Sequence, residues 1–180
     1  MEIKIDHPVQ LIPAARAESC WAAAASMLYG GGRPLAAAHA RESAQRTGDT
    51  AATPLHAGAS TLAQFALQWE LVTLRPRAWT LHALADLLAR RPLWAGAYRP
   101  NGHAMILSGM LGDGSDGGTF LTVLDPWPPA TGAVHHLPYS VWQTRYSLPS
   151  MYILHRPMPP PPPDPMAAIK SLVGKDWDDE

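Results

Sequence analysis

The sequence holds a single cysteine, Cys20, among 180 residues. An intrachain disulfide is therefore excluded, as is a zinc site built from several thiolates, so the fold must stand on its core. Neither sign of charge is in excess: 14 Lys and Arg face 15 Asp and Glu, a formal net charge of −1. That balance does not suit a nucleic-acid partner, and none is expected. No run reaches the ~18 consecutive apolar residues of a membrane span, so no membrane partner is expected either. The opening Met-Glu-Ile-Lys-Ile-Asp-His-Pro has charges at positions 2, 4 and 6 and no apolar stretch of the signal-peptide kind. The expected location is cytoplasmic as made, with export by a specialised secretion system left open. No glycine-rich phosphate loop follows a predicted strand, which removes the kinase and dehydrogenase readings. No cofactor or metal is expected.

What is present suits one ordinary domain. Hydrophobic residues make up 47% against 16% charged, enough apolar material for a core. The globular pattern covers residues 1–156, and residues 157–180 form a proline-rich tail. Pro159 to Pro163 are consecutive, followed by Asp164-Pro165. Proline lacks an N–H and fixes φ, so this run reads as a polyproline II strut. Beyond it, residues 166–180 read as a weak helix through Leu172, then Gly174 and an acidic end, either a disordered or loosely docked tail or a docking peptide for a partner or for export.

The first helix is predicted to start at Cys20, with Ser19 as N-cap and Glu18 adding negative charge at the positive helix end. Trp21-Ala22-Ala23-Ala24-Ala25 continues it and Gly30-Gly31-Gly32 stops it. Further helices are predicted over residues 35–46, near residues 60–71 (Leu62, Phe65, Ala66 and Trp69 on one face) and from a Thr80 cap, with Leu81, Leu84, Leu87 and Leu88 on one face, to a stop at Arg90-Arg91-Pro92. The period then changes. Strands are predicted over residues 93–98, 104–110, 120–124, 133–137 and 151–155, with a short helix near residues 139–146. A Gly/Asp-rich turn over residues 112–118 joins two of the strands. Helices followed by antiparallel strands is the α+β order.

The position of Cys20 bears on its chemistry. A helix start offers free N–H groups and the positive end of the dipole, which favour a thiolate and can help hold an oxyanion. A buried structural cysteine is the competing reading. A thiolate nucleophile also needs a base that later protonates the leaving group. Of eight histidines, His7, His39, His56 and His82 lie in no special pattern. His135 and His136 are adjacent, so at most one faces a given side of a strand, and His155 borders the proline tail. His103 follows Asn101-Gly102 and opens a strand, which suits projection into a cleft. If residues 103–110 and 120–125 pair as a hairpin, the start of one strand meets the end of the other. Asp125 then lies beside His103 and can orient its ring. The competing reading of Asp125 is a turn-forming Asp-Pro.

Ser19-Cys20-Trp21-Ala22-Ala23-Ala24, Gly102-His103-Ala104 and Asp125-Pro126-Trp127-Pro128-Pro129 together resemble the papain-like cysteine peptidases over roughly residues 8–155. They are most similar to the compact bacterial branch that includes secreted effector proteases and bacteriocin-exporter peptidase domains. The resemblance implies a papain-like α+β fold, with the nucleophile at a helix start packed on an antiparallel sheet. It implies Cys20 as nucleophile, His103 as general base and acid, and Asp125 as orienter. The implied activity is hydrolysis of a peptide or isopeptide bond in a peptide or protein substrate, by a bacterial effector or toxin with an immunity or secretion partner. Glutamine amidase or deamidase chemistry by the same triad and a catalytically weak interaction module are the alternatives. One departure stands out: the family's oxyanion glutamine, six residues before the cysteine, is Ala14 here. Gln10 through a bulged loop, the Ser19 hydroxyl and the Trp21 indole are the candidates to replace it. A slow or degenerate site is the further reading.

Overall fold

The computed structural model describes residues 2–16, 19–30, 59–77, 79–97, 102–146 and 151–158. The helix expected over residues 35–46 and the proline run from Pro159 lie outside them. Among the described residues the elements are β1 (Ile3–Asp6), α1 (Cys20–Leu28), α2 (Ala59–Gln68), β2 (Val72–Leu74), α3 (Leu81–Leu88), β3 (Leu93–Ala97), β4 (His103–Gly112), β5 (Thr119–Asp125), β6 (Ala133–Pro138), α4 (Tyr139–Arg145) and β7 (Met151–His155).

The strands form one antiparallel sheet in the order β2-β7-β3-β4-β5-β6, with β1 also paired to β4. The ten-residue β4 organises it. Its first half pairs with β3 from Ala97↔His103 to Leu93↔Leu107, and its second half pairs with β1 from Asp6↔Gly109 to Ile3↔Gly112. β5 runs along its other edge. The β4–β5 register shifts between Leu107 and Gly109, and the Ser108 carbonyl at this irregularity accepts the His7 N–H at 2.8 Å. Gly109 follows because a Cβ there would stand 2.8 Å from the Ile5 carbonyl oxygen.

Helices cover both faces of the sheet. On one, α1 and α2 bury Trp21, the Ala22–Ala25 run, Phe65 and Trp69 against Trp94, Ala104, Ile106, Leu124 and Leu154. On the other, α3 and α4 bury Leu84, Leu88, Tyr139 and Trp142 against Ala95, Met105, Leu107, Val123 and Ile153. Double coverage explains why residues 104–110 are buried without interruption, where a sheet with one wet face would alternate. The Thr80 hydroxyl caps α3 by accepting the Ala83 N–H at 3.2 Å, and Tyr139 donates its hydroxyl proton to the Trp79 carbonyl.

Ser19 departs from the sequence expectation. Its hydroxyl makes no cap hydrogen bond to α1. It turns back instead, accepting the Arg16 N–H at 3.0 Å and donating to the Arg16 carbonyl at 2.9 Å. The Ser19 side chain closes the turn before the helix and caps no first-turn N–H group. β1 and β2 were not expected as strands. Each is short and takes its place from partners distant in sequence.

Candidate active site

All nine residues of α1 are buried, and the four alanines at 22–25 are fully so. Their small side chains let the helix lie close on the sheet. The Trp94 indole N–H donates to the Trp21 carbonyl at 3.0 Å and fixes the first turn against β3. The ring of Trp21 packs edge-on to Phe65, with centroids 4.9 Å apart. Cys20, the first helical residue, is thereby held at a buried helix start over the sheet.

His103 opens β4 directly after Gly102, whose φ of +53° is a left-handed conformation that favours glycine. Asp125 closes β5. In register, Leu124 pairs with Ile106, so Asp125 comes opposite Met105 and diagonal to His103 on the same face. The His103 Nε2–H donates to Asp125 Oδ1 at 2.8 Å. That oxygen also accepts the Trp127 N–H at 2.8 Å, which holds the carboxylate in place from the following turn. With Nε2 committed to Asp125, Nδ1 is the ring nitrogen left for another partner. The Cys20 side chain lies against the same ring, close enough to act on its proton by hydrogen bond and by charge.

Electrostatics follow from this arrangement. Burial works against the charged form of His103, but the hydrogen bonds to Asp125 and Cys20 and the charges of both outweigh it, raising the His103 pKa to about 9. Burial also opposes the Asp125 carboxylate, yet the His103 hydrogen bond and charge, helped by the Trp127 N–H and by His135, hold it below the usual carboxylate range. Near neutral pH the pair is therefore imidazolium and carboxylate.

His135 is a neighbour that the sequence reading set aside. Its Nε2 stands 3.9 Å from Asp125 Oδ2. The signal was register: Ala133 pairs with Asp125 on β6, and His135, two residues on, takes the diagonal on the same face. Asp125 is thus flanked by a histidine from each adjacent strand. Among the described residues no cluster of three or more His, Cys, Asp or Glu side chains could hold a metal ion.

The oxyanion candidates fare differently. Ala14 is fully buried, and its backbone is tied to the loop after Asp125: its N–H donates to the Pro126 carbonyl and its carbonyl accepts the Ala130 N–H, both at 2.9 Å. Ser19 spends its one hydroxyl proton on Arg16. Trp21 is buried with its ring on Phe65. Gln10 is exposed, and among the described residues no hydrogen bond engages its amide.

A cysteine at a buried helix start, beside a histidine and an aspartate on adjacent strands of an antiparallel sheet, defines the class of papain-like cysteine peptidases. The chain belongs to the family of the papain-like cysteine protease AvrRpt2, whose model matches residues 1–137, a span that includes Cys20, His103 and Asp125. No curated protein matches the chain. Among solved structures it is similar to the crystal structure of UfSP from C. elegans, at 16% identity and a TM-score of 0.51, which shows the shared fold. That match covers 89% of this chain and 34% of the other, so the chain spans about a third of the length of that protein.

Proposed function

We propose that this cysteine peptidase hydrolyses peptide or isopeptide bonds with Cys20 as nucleophile, His103 as general acid and base, and Asp125 as the acceptor that orients the imidazole. The observation that carries the reading is one histidine ring held by Asp125 at 2.8 Å with Cys20 against it. Cys20 acts as a thiolate facing the His103 imidazolium. The thiolate attacks the scissile carbonyl carbon, and negative charge moves onto the carbonyl oxygen. The uncapped first turn of α1 supports the Cys20 backbone N–H as a donor to that oxyanion. As the C–N bond breaks, His103 gives its proton to the leaving amine, leaving a thioester. Neutral His103 then takes a proton from water, whose oxygen attacks the thioester. The acid product leaves and the thiolate–imidazolium pair is restored. Asp125 stays ionised throughout and keeps Nδ1 aimed at the sulfur.

Deployment as a bacterial effector or toxin, with a secretion or immunity partner, is part of the same proposal and is supported by the motif resemblance. The test is turnover of three substrate sets by the chain and by its Cys20→Ala variant: α-linked peptides, Lys ε-linked isopeptides and glutamine-containing peptides. New amino groups without free ammonia support the peptidase reading. Ammonia without chain cleavage moves the chemistry to a side-chain amidase. No turnover of any set by the folded chain refutes hydrolysis.

A further inference from the structure

The two oxygens of Asp125 meet different surroundings. Oδ1 accepts both the His103 Nε2–H and the Trp127 N–H, each at 2.8 Å. Oδ2 accepts no hydrogen bond among the described residues, and His135 faces it with Nε2 at 3.9 Å. That separation is about 1 Å longer than a hydrogen bond, a gap that a small rotation of the ring or one ordered water closes. The His135 side chain is 36% exposed and has room for the adjustment, whereas that of Asp125 is 10% exposed.

Strand register brings the ring there. β6 pairs Ala133 with Asp125 and His135 with Val123, so His135 shares the face of Asp125. His136 takes the opposite face, 3.3 Å from Thr122 Oγ1. Of two adjacent histidines, one is therefore at the carboxylate and the other is not. Among the described residues, the ion pairs of Asp125 are those with His103 and His135. A carboxylate held through one oxygen turns easily, because the torsion about its Cβ–Cγ bond is broad. Turning swings Oδ1 off the line of the His103 N–H, and a hydrogen bond weakens steeply as it bends. A donor at Oδ2 fixes the plane of the group.

We propose that His135 is a positioning residue whose Nε2–H engages Asp125 Oδ2 and fixes the carboxylate plane, so that Oδ1 stays on His103. The inference rests on the roles assigned above to Cys20, His103 and Asp125, and His135 acts through Asp125 alone. The neutral ring with its proton on Nε2 can fill this role, as can the cation. The other titratable groups around the row are Cys20, against the His103 ring, and Tyr146, whose phenol is raised by burial and by the Asp125 charge despite Arg145.

The test is an NMR titration of the histidine rings in the isotope-labelled full chain from pH 7 to pH 10.5. The His103 signals are assigned by their loss in His103→Gln. His135→Val deletes the donor and keeps a strand former at a half-exposed position. It should lower the His103 midpoint from about 9 by about 0.5, a roughly threefold weaker hold on the proton. His135→Leu repeats the deletion with different packing, so a folding defect in one variant does not decide the result. His135→Gln brings an uncharged amide N–H to the place of Nε2 and should restore the midpoint. His136→Val should leave it unmoved, with circular dichroism confirming the fold of each variant. An unchanged midpoint in the folded deletion variants overturns the proposal, as does a fall that His135→Gln leaves in place or that His136→Val reproduces. Asp125→Asn separates this inference from the roles beneath it. A midpoint lowered by Asp125→Asn but not by His135→Val sinks the positioning role alone. A midpoint that Asp125→Asn leaves untouched overturns the triad reading as well.

Discussion

The ionisation of His103 predicts a pH-dependent stability with a defined window. Its pKa is about 9 in the fold against an ordinary 6.5, because Asp125 and Cys20 outweigh burial. A histidine that keeps its proton more tightly when folded stabilises the fold wherever the unfolded chain releases it first. That contribution is complete below pH 6.5, declines as pH rises, and is gone above pH 9. The difference of about 2.5 pKa units corresponds to about 3 kcal/mol, a large share of the total stability of a domain this size. Other shifted groups act elsewhere. Burial holds His155 below its ordinary value, so its effect falls on the acid side of pH 6.5. Burial also raises Tyr139, to about 12, and Tyr146, so both act above pH 10.

Urea denaturation followed by tryptophan fluorescence, at steps from pH 6 to pH 9.5, reads this directly. The wild-type chain should lose about 3 kcal/mol across the window. Cys20→Ala removes the sulfur's part of the shift and leaves the Asp125 part, so its loss should be smaller but present. His103→Gln should be nearly flat. A flat wild-type profile refutes the reasoning, as does a loss that persists in His103→Gln, because either result separates the stability from the Asp125–His103–Cys20 row.

Asp125→Asn keeps an acceptor for the Trp127 N–H but removes the charge that holds His103 protonated. Iodoacetamide labelling of Cys20 at pH 6 to 7 should slow by about tenfold or more, and an unchanged rate would show that the carboxylate does not act through the ring. Gln10→Ala should lower kcat by about 10² if the exposed amide swings in as an oxyanion donor, with KM and melting temperature little changed. Ala14→Gln should not accelerate the enzyme. The position is fully buried and bonded on both backbone sides, so the longer side chain should cost about 1–3 kcal/mol of stability in a denaturation assay.

Elements with strong local signals were legible from the chain. The alanine run ending at Gly30 marked α1, the Thr80 cap marked α3, and the glycine-rich turn at residues 112–118 marked the β4–β5 hairpin. What escaped was long-range. Ile3–Asp6 and Val72–Leu74 carry too few residues to show a period, and each becomes a strand because β4 or β7 offers an open edge. The Ser19 cap failed for a related reason. A serine before a helix can serve the helix or the preceding turn, and here the Arg16 backbone takes both its donor and its acceptor.

The site was legible to the extent that hairpin arithmetic could carry it. The start of β4 and the end of β5 must be neighbours once residues 112–118 turn, and this puts Asp125 beside His103. The same arithmetic extends to β6, where Asp125↔Ala133 puts His135 on the opposite diagonal, 3.9 Å from the second carboxylate oxygen. That neighbour was missed because the register of β6 depends on a loop rather than on a tight turn. The Asp125-Pro126-Trp127-Pro128 segment is that loop, and its backbone is clamped from across the chain by Ala14. The residue that replaces the expected glutamine therefore has a task of its own. It supplies the two main-chain bonds that hold the turn after Asp125, and Asp125 in turn holds His103 toward Cys20.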